Sequence, residues 1–184
     1  MAIYVTSDAH GHVRALDEAL SKISLASDDT LYVLGDMIDR GPDPVGVIKL
    51  VRSLPNARVL KGNHEQIMLD AIIGQDPLDA ETWDINGGWT TRQQLNDMEF
   101  EAYEELVRWM ATLPLYAVVE TDERPYLLVH AGIQTEAARA FLLEHGVDCA
   151  DGTGAVDVDR ELLKQMLAVQ PGSVQIVLLV LVYL

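Results

Sequence analysis

Three scarcities frame this 184-residue chain. Cys149 is its only cysteine, so no internal disulfide can form, and a lone thiol with no supporting site reads as structural rather than reactive. Basic side chains are few: 13 Lys and Arg stand against 29 Asp and Glu, a formal charge of -16. So acidic a surface cannot displace counterions from a phosphate backbone, which excludes nucleic acid as a general partner. A phosphate substrate stays open, because bound divalent cations invert the local field. Long apolar runs are also missing. Met1-Ala2-Ile3-Tyr4-Val5 lacks the basic region and apolar stretch of a secretion signal, and the apolar end, residues 174–184, is short for a membrane span and reads as a buried strand. The expectation is a cytoplasmic protein with no membrane partner. With no repeat of solenoid length and no linker, the length favours one domain over residues 1–184.

What is present repeats three times: a short apolar strand, a turn loaded with polar residues, and a helix. Ile3-Tyr4-Val5 leads into Ser7-Asp8-Ala9-His10-Gly11-His12, after which Val13, Leu16, Ala19, Leu20 and Ile23 recur at helical spacing. Leu31-Tyr32-Val33-Leu34 leads into Gly35-Asp36-Met37-Ile38-Asp39-Arg40-Gly41, where Asp43 is placed to cap a helix opened by Pro44. Ala57-Arg58-Val59-Leu60 leads into Gly62-Asn63-His64-Glu65. Strands alternating with helices predict an α/β fold with a largely parallel sheet, and ligands bind such sheets outside the carboxyl ends of the strands. All three turns are therefore expected on one edge.

Residues 76–113 read as a mostly helical cap insert, broken at Asn86-Gly87-Gly88, with Trp83, Trp89 and Trp109 as packing groups. Strands at 115–119 and 126–130 form a predicted hairpin about Thr121-Asp122-Glu123-Arg124-Pro125, ending in a fourth polar turn, His130-Ala131-Gly132. Helices are expected at 135–144 and 159–167, with Asp151-Gly152-Thr153-Gly154 as a loop between them.

Singly, an Asp or His in a turn is usually a cap or a hydrogen-bond partner. Four such turns arriving together point to metal chemistry. Asp8 and His10, one residue apart on an extended segment, can grip one cation. Asp36 can bridge it to a second cation, to which Asn63 and His130 offer an amide oxygen and an imidazole nitrogen. Mixed oxygen and nitrogen donors suit manganese, iron or zinc better than calcium.

The run Asp8-x-His10-Gly11, Gly35-Asp36-x-x-Asp39-Arg40-Gly41, Gly62-Asn63-His64-Glu65 and His130-Ala131-Gly132 resembles the calcineurin-like metallophosphoesterases, and among them the small bacterial and phage serine/threonine protein phosphatases. The resemblance implies a sheet core, a β-sandwich flanked by helices. It implies two divalent metals, manganese foremost, the first at Asp8, His10 and Asp36, the second at Asp36, Asn63 and His130. His64 would be the general acid, Asp39 its orienting partner and Arg40 a phosphate ligand. Asn86-Gly87-Gly88-Trp89-Thr90 looks like the insert that shapes the bacterial substrate cleft, which places Asn63, Gly88 and Trp89 near substrate, packing being the equal alternative for Trp89. Water made nucleophilic between two metals needs no protein nucleophile. His12 is read as a surface or supporting residue and His145 as a helix terminus.

Relatives of this kind usually supply one more histidine late in the chain, from a strand followed by a Gly-His-Thr-like turn. Nothing after His145 does so, and an altered or truncated ending with a weakened second metal is the expectation. Three functions follow: a phosphatase of phosphoserine and phosphothreonine in proteins, acting on phosphoproteins or phosphorylated small molecules; a diadenosine tetraphosphate hydrolase; or a metal-binding protein without catalysis. Asp39-Arg40 and the Glu65 ending look more like the phosphatases than the hydrolases.

Overall fold

Strands β1 (Ile3–Thr6), β2 (Thr30–Val33) and β3 (Ala57–Val59) lie side by side in that order, all parallel, with Tyr4 opposite Leu31 and Leu31 opposite Ala57. This is a computed structural model, and it describes residues 1–74, 76–120 and 125–130. Helices α1 (Val13–Ile23) and α2 (Pro44–Ser53) make the crossovers that parallel pairing demands, and α3 (Asn63–Ile73) follows β3. Asp8, Asp36 and Asn63 consequently stand just past the carboxyl ends of the three strands, on the one edge the sequence pattern predicts.

Local chemistry explains the boundaries. Asp43 Oδ1 accepts from Gly46 N at 2.9 Å, so the predicted cap and the Pro44 start both hold. Val45, Val47, Ile48 and Val51 then form the buried stripe of α2, and Leu16 anchors α1. Within the loop after β2, Met37 and Ile38 are fully buried between Asp36 and Asp39. These two side chains fix the loop to the core at roughly 1.5–3 kcal/mol each, which leaves its polar residues little freedom to drift.

The insert is helical, as expected, in three pieces: α4 (Pro77–Ile85), α5 (Trp89–Asn96) and α6 (Phe100–Ala111). It is built into the fold. Trp83, Leu95, Leu106, Val107 and Met110 belong to the same buried cluster as Leu31, Met37 and Ile48.

Compact unit boundaries fall between Pro114 and Leu115. Beyond that point, β4 (Tyr116–Glu120) and β5 (Pro125–Val129) pair antiparallel with Tyr116 opposite Val129, the predicted hairpin, and bury Val119, Leu128 and Val129. The turn at 121–124, Ala131-Gly132, the helices expected at 135–144 and 159–167, the loop at 151–154, His145, Cys149 and the apolar end at 174–184 lie outside the described residues. Among the described residues no helix is long and apolar enough to cross a membrane.

Candidate active site

Six non-glycine residues among those described have left-handed backbone, and five of them are Asp8 (φ 56°), His10 (40°), Asp36 (53°), Asp39 (68°) and Arg40 (64°). Each such residue costs of order 1–3 kcal/mol and persists only where its surroundings enforce it. Here the enforcement is backbone to backbone. Asp8 N donates to Gly35 O at 3.2 Å, His10 N to Asp36 O at 2.9 Å, Gly11 N to Met37 O at 2.9 Å and Arg40 N to Gly87 O at 3.0 Å. The loop after β3 closes in equally tightly: a Cβ on Gly62 would lie 2.2 Å from Asp36 Oδ1 and 2.4 Å from Asp36 N, so only glycine fits there.

The two imidazoles that result are held in defined tautomers. His10 Nδ1 lies 2.9 Å from Ile38 O, and His64 Nδ1 lies 2.7 Å from Asp39 Oδ2. A carbonyl and a carboxylate oxygen accept, so each ring donates from Nδ1 and turns Nε2 toward the site. Those Nε2 atoms converge. The rings stand edge to face with centroids 4.8 Å apart, and the Arg40 guanidinium donates to both, at 2.9 Å to His10 and 2.8 Å to His64. Asp36 is buried beside them. Its Oδ1 accepts from His64 N at 3.0 Å, while its Oδ2 lies 3.6 Å from His10 Nε2 and 4.0 Å from His64 Nε2. Asp8 is more exposed, with Oδ1 3.9 Å from His10 Nε2.

Asp39 is fully buried and occupied by neighbours as well as by His64. Trp83 Nε1 donates to both its oxygens at 3.1 and 3.2 Å, and the Thr91 hydroxyl donates to Oδ1 at 2.6 Å while accepting from Asp39 N at 3.0 Å. Trp83 is thus more than the packing group its sequence suggests, and Thr91 joins it as an unanticipated partner of Asp39. The available signal was a tryptophan on a buried face, whose N–H requires an acceptor.

Glu65, the last residue of its motif, faces inward. It is fully buried and accepts three backbone N–H groups, from Met37 on Oε1 and from Asp36 and Gly62 on Oε2, each at 2.8 Å. Burial, and after it the charge of Asp36, pushes its carboxyl above the ordinary range, while the three N–H donors work in the opposite sense. Glu65 thus ties the loops after β2 and β3 together without reaching solvent. Glu65→Gln turns one acceptor into a donor facing a backbone N–H, and we expect it to lower unfolding stability by about 1–3 kcal/mol in urea titration.

The remaining predicted residues are placed as follows. Asn63 opens α3 and is exposed; Gly88 precedes α5 and is buried, its Cα packed where a Cβ would overlap the Trp83 ring at 2.3 Å. Trp89 is 61% exposed. His130 directly follows β5, in the second unit, and is half-buried. His12 is a surface residue and lines a cavity of about 640 Å³ with Val13, Arg14, Glu18, Pro42 and Asp43, apart from the paired imidazoles.

The donor set of the first unit fits a divalent transition-metal ion. Atoms of His10, Asp36 and His64 lie within 4.8 Å of one another, and two imidazole nitrogens beside a carboxylate are the donors such ions prefer. His64, expected as an acid, thus brings its ring to the same focus as the expected ligands His10 and Asp36.

Residues 1–179 match the family described as calcineurin-like phosphoesterase. The chain belongs to this family. Calcineurin-like phosphoesterases are metal-dependent hydrolases, and the histidine and carboxylate cluster is the part of the described fold suited to that chemistry. Two curated relatives, from Erwinia tasmaniensis and Salmonella paratyphi C, are both named bis(5'-nucleosyl)-tetraphosphatase, symmetrical. They are 32% and 30% identical over 72% and 85% of this chain, and 45% and 50% of their own. The chain thus spans about half the length of these relatives. A solved structure of a proposed diadenosine tetraphosphatase shares the fold, with TM-score 0.51 and 23% identity over 73% of this chain and 51% of that one.

Proposed function

We propose that this phosphoesterase hydrolyses a symmetrical dinucleoside tetraphosphate, adding water across the central P–O–P bond to release two nucleoside diphosphates. The observation that carries the reading is the convergence of the His10 and His64 Nε2 atoms on the Asp36 carboxylate, in a chain whose 30–32% identical relatives carry the tetraphosphatase name. It reverses the order of the sequence expectation, in which the protein phosphatase stood first.

Two divalent ions complete the site in this reading, with manganese first and iron or zinc as alternatives. Asp8, His10 and Asp36 would hold one, and Asp36 with Asn63 would contribute to the other. When bound, such ions make water nucleophilic at neutral pH and polarise the phosphoryl group. The chain's own residues do the rest. Asp39 holds the His64 ring by Nδ1–H, so that Nε2 is the atom presented to the site. As an imidazolium, stabilised by the buried Asp39 carboxylate, His64 can hand the Nε2 proton to the departing oxygen. Arg40, the exposed cation beside both imidazoles, offers a planar fork matched to phosphate oxygens.

The phosphoprotein reading rests on Asp39-Arg40 and Glu65 in the sequence. Asp39 and Glu65 are both fully buried, so neither touches a substrate, and they bear on the geometry of the site more than on its choice of ester. The non-catalytic reading is opposed by the intact Asp39–His64 pair. A side-by-side assay with manganese separates the readings. Nucleoside diphosphate as the sole nucleotide product, with kcat/KM for the dinucleotide above that for a phosphoserine peptide, supports the proposal. Unequal nucleotide products, or preference for the peptide, overturns it.

A further inference from the structure

Large apolar side chains are exposed at several points, but two of them sit on the turn that touches Arg40. Ile85, the last residue of α4, is 77% exposed, and Trp89, the first of α5, is 61% exposed. Between them lies Gly87, whose carbonyl accepts from Arg40 N at 3.0 Å. Gly87 has φ 92°, and a Cβ there would press on Arg40 Cγ at 3.0 Å. The turn therefore packs on the residue proposed to bind phosphate.

The turn is also rigid. Its amino-terminal side is pinned through Trp83 Nε1 to Asp39, and its carboxyl-terminal side through the Thr91 hydroxyl to the same carboxylate. Arg92 locks the two helices together, with its guanidinium 4.9 Å from the Trp83 ring centroid and an ion pair to Asp84 at 2.9 Å. Ile85 and Trp89 are thus exposed apolar groups carried on a firmly held backbone, which lowers the ordering cost of binding.

We infer that Trp89 and Ile85 form a nucleobase subsite at the edge of the active site, where the indole stacks on one base of the substrate and Ile85 borders the ring. The inference rests on the proposed function and adds to it the group that recognises the nucleoside. A tetraphosphate cut at its centre carries each nucleoside two phosphates from the reacting atoms, so a base must be met beside the phosphate-binding residue and outside the metal cluster. An indole is the side chain best suited to that task, because every base presents a π face and stacking tolerates base identity. Adenine and guanine dinucleotides are both expected to be accepted.

The test compares the symmetrical dinucleoside tetraphosphate with inorganic tetrapolyphosphate, which has the same anhydride and no base, used as substrate or as competitive inhibitor. Trp89→Ala is expected to raise KM for the dinucleotide roughly 5- to 150-fold more than it raises KM or Ki for tetrapolyphosphate, with kcat largely kept. Trp89→Phe is expected to recover most of the loss, and circular dichroism checks that each variant is folded. Equal changes on both compounds, or an unaltered KM for the dinucleotide, overturn the subsite. If the wild-type chain turns over p-nitrophenyl phosphate but not the dinucleotide, the proposed function fails and the subsite fails with it. A wild type that cleaves the dinucleotide while Trp89→Ala keeps its KM sinks the subsite alone.

Discussion

Asp36→Asn is expected to lower kcat/KM by more than about 10²-fold and to remove tight manganese binding in calorimetric titration. Losing a residue that merely supports a ligand costs about 10–100-fold in metal affinity or activity, and Asp36 stands closer to the chemistry than that. One of its oxygens anchors the α3 terminus through His64 N, and the other faces both imidazole Nε2 atoms. Asparagine keeps an oxygen for the backbone bond and gives up the charge, so the variant is expected to fold while failing to hold a cation. A variant with wild-type activity and stoichiometric metal would show that Asp36 is only a structural cap.

His64→Ala is expected to lower kcat by roughly 10²–10⁴-fold on an alkyl phosphate, the usual contribution of a positioned general acid. On an anhydride or on p-nitrophenyl phosphate the fall is expected to be smaller. An alkoxide leaves poorly unless it is protonated, whereas a phosphate or a nitrophenolate leaves readily without help. The comparison across leaving groups separates a proton donor from a metal ligand, because loss of a ligand depresses all substrates alike and moves the metal concentration at half-activity. His64 is fully buried beside Asp39, but Asp39 keeps donors from Trp83 and Thr91. The variant is therefore expected to remain folded, with Tm as the check.

The sequence made the edge of the sheet legible because strand, polar turn and helix recur three times with unambiguous spacing. Asp43 and Pro44 fixed the start of α2 by local chemistry alone. The hairpin 116–129 followed from two short apolar runs joined by a polar turn. What spacing could not supply was direction. Glu65 looked like a marker of substrate class, yet it turns inward to clasp three backbone N–H groups across two loops. Trp83 and Thr91, separated in sequence from Asp39 by 44 and 52 positions, act on it only because the insert folds back over the loop after β2. Arg40, expected on phosphate, also lies against two imidazoles that are distant from it in sequence. Contacts of this range depend on how helices pack, which residue periodicity does not encode.

The same inward direction bears on the choice between substrates. Asp39 and Glu65 were the sequence grounds for preferring a protein phosphatase, and both are shielded from any substrate. The groups that can meet a substrate are Arg40, the exposed Asn63 and the Trp89 turn. The name of the curated relatives, symmetrical tetraphosphatase, supports the proposed dinucleotide substrate.

The most direct test of the central claim is p-nitrophenyl phosphate turnover by the purified chain, titrated with manganese after exhaustive chelation. The account predicts no turnover in chelator, recovery on adding manganese, and loss of that recovery in Asp36→Asn. Turnover that survives chelation, or a folded, manganese-loaded chain that hydrolyses neither p-nitrophenyl phosphate nor the dinucleotide, would contradict it.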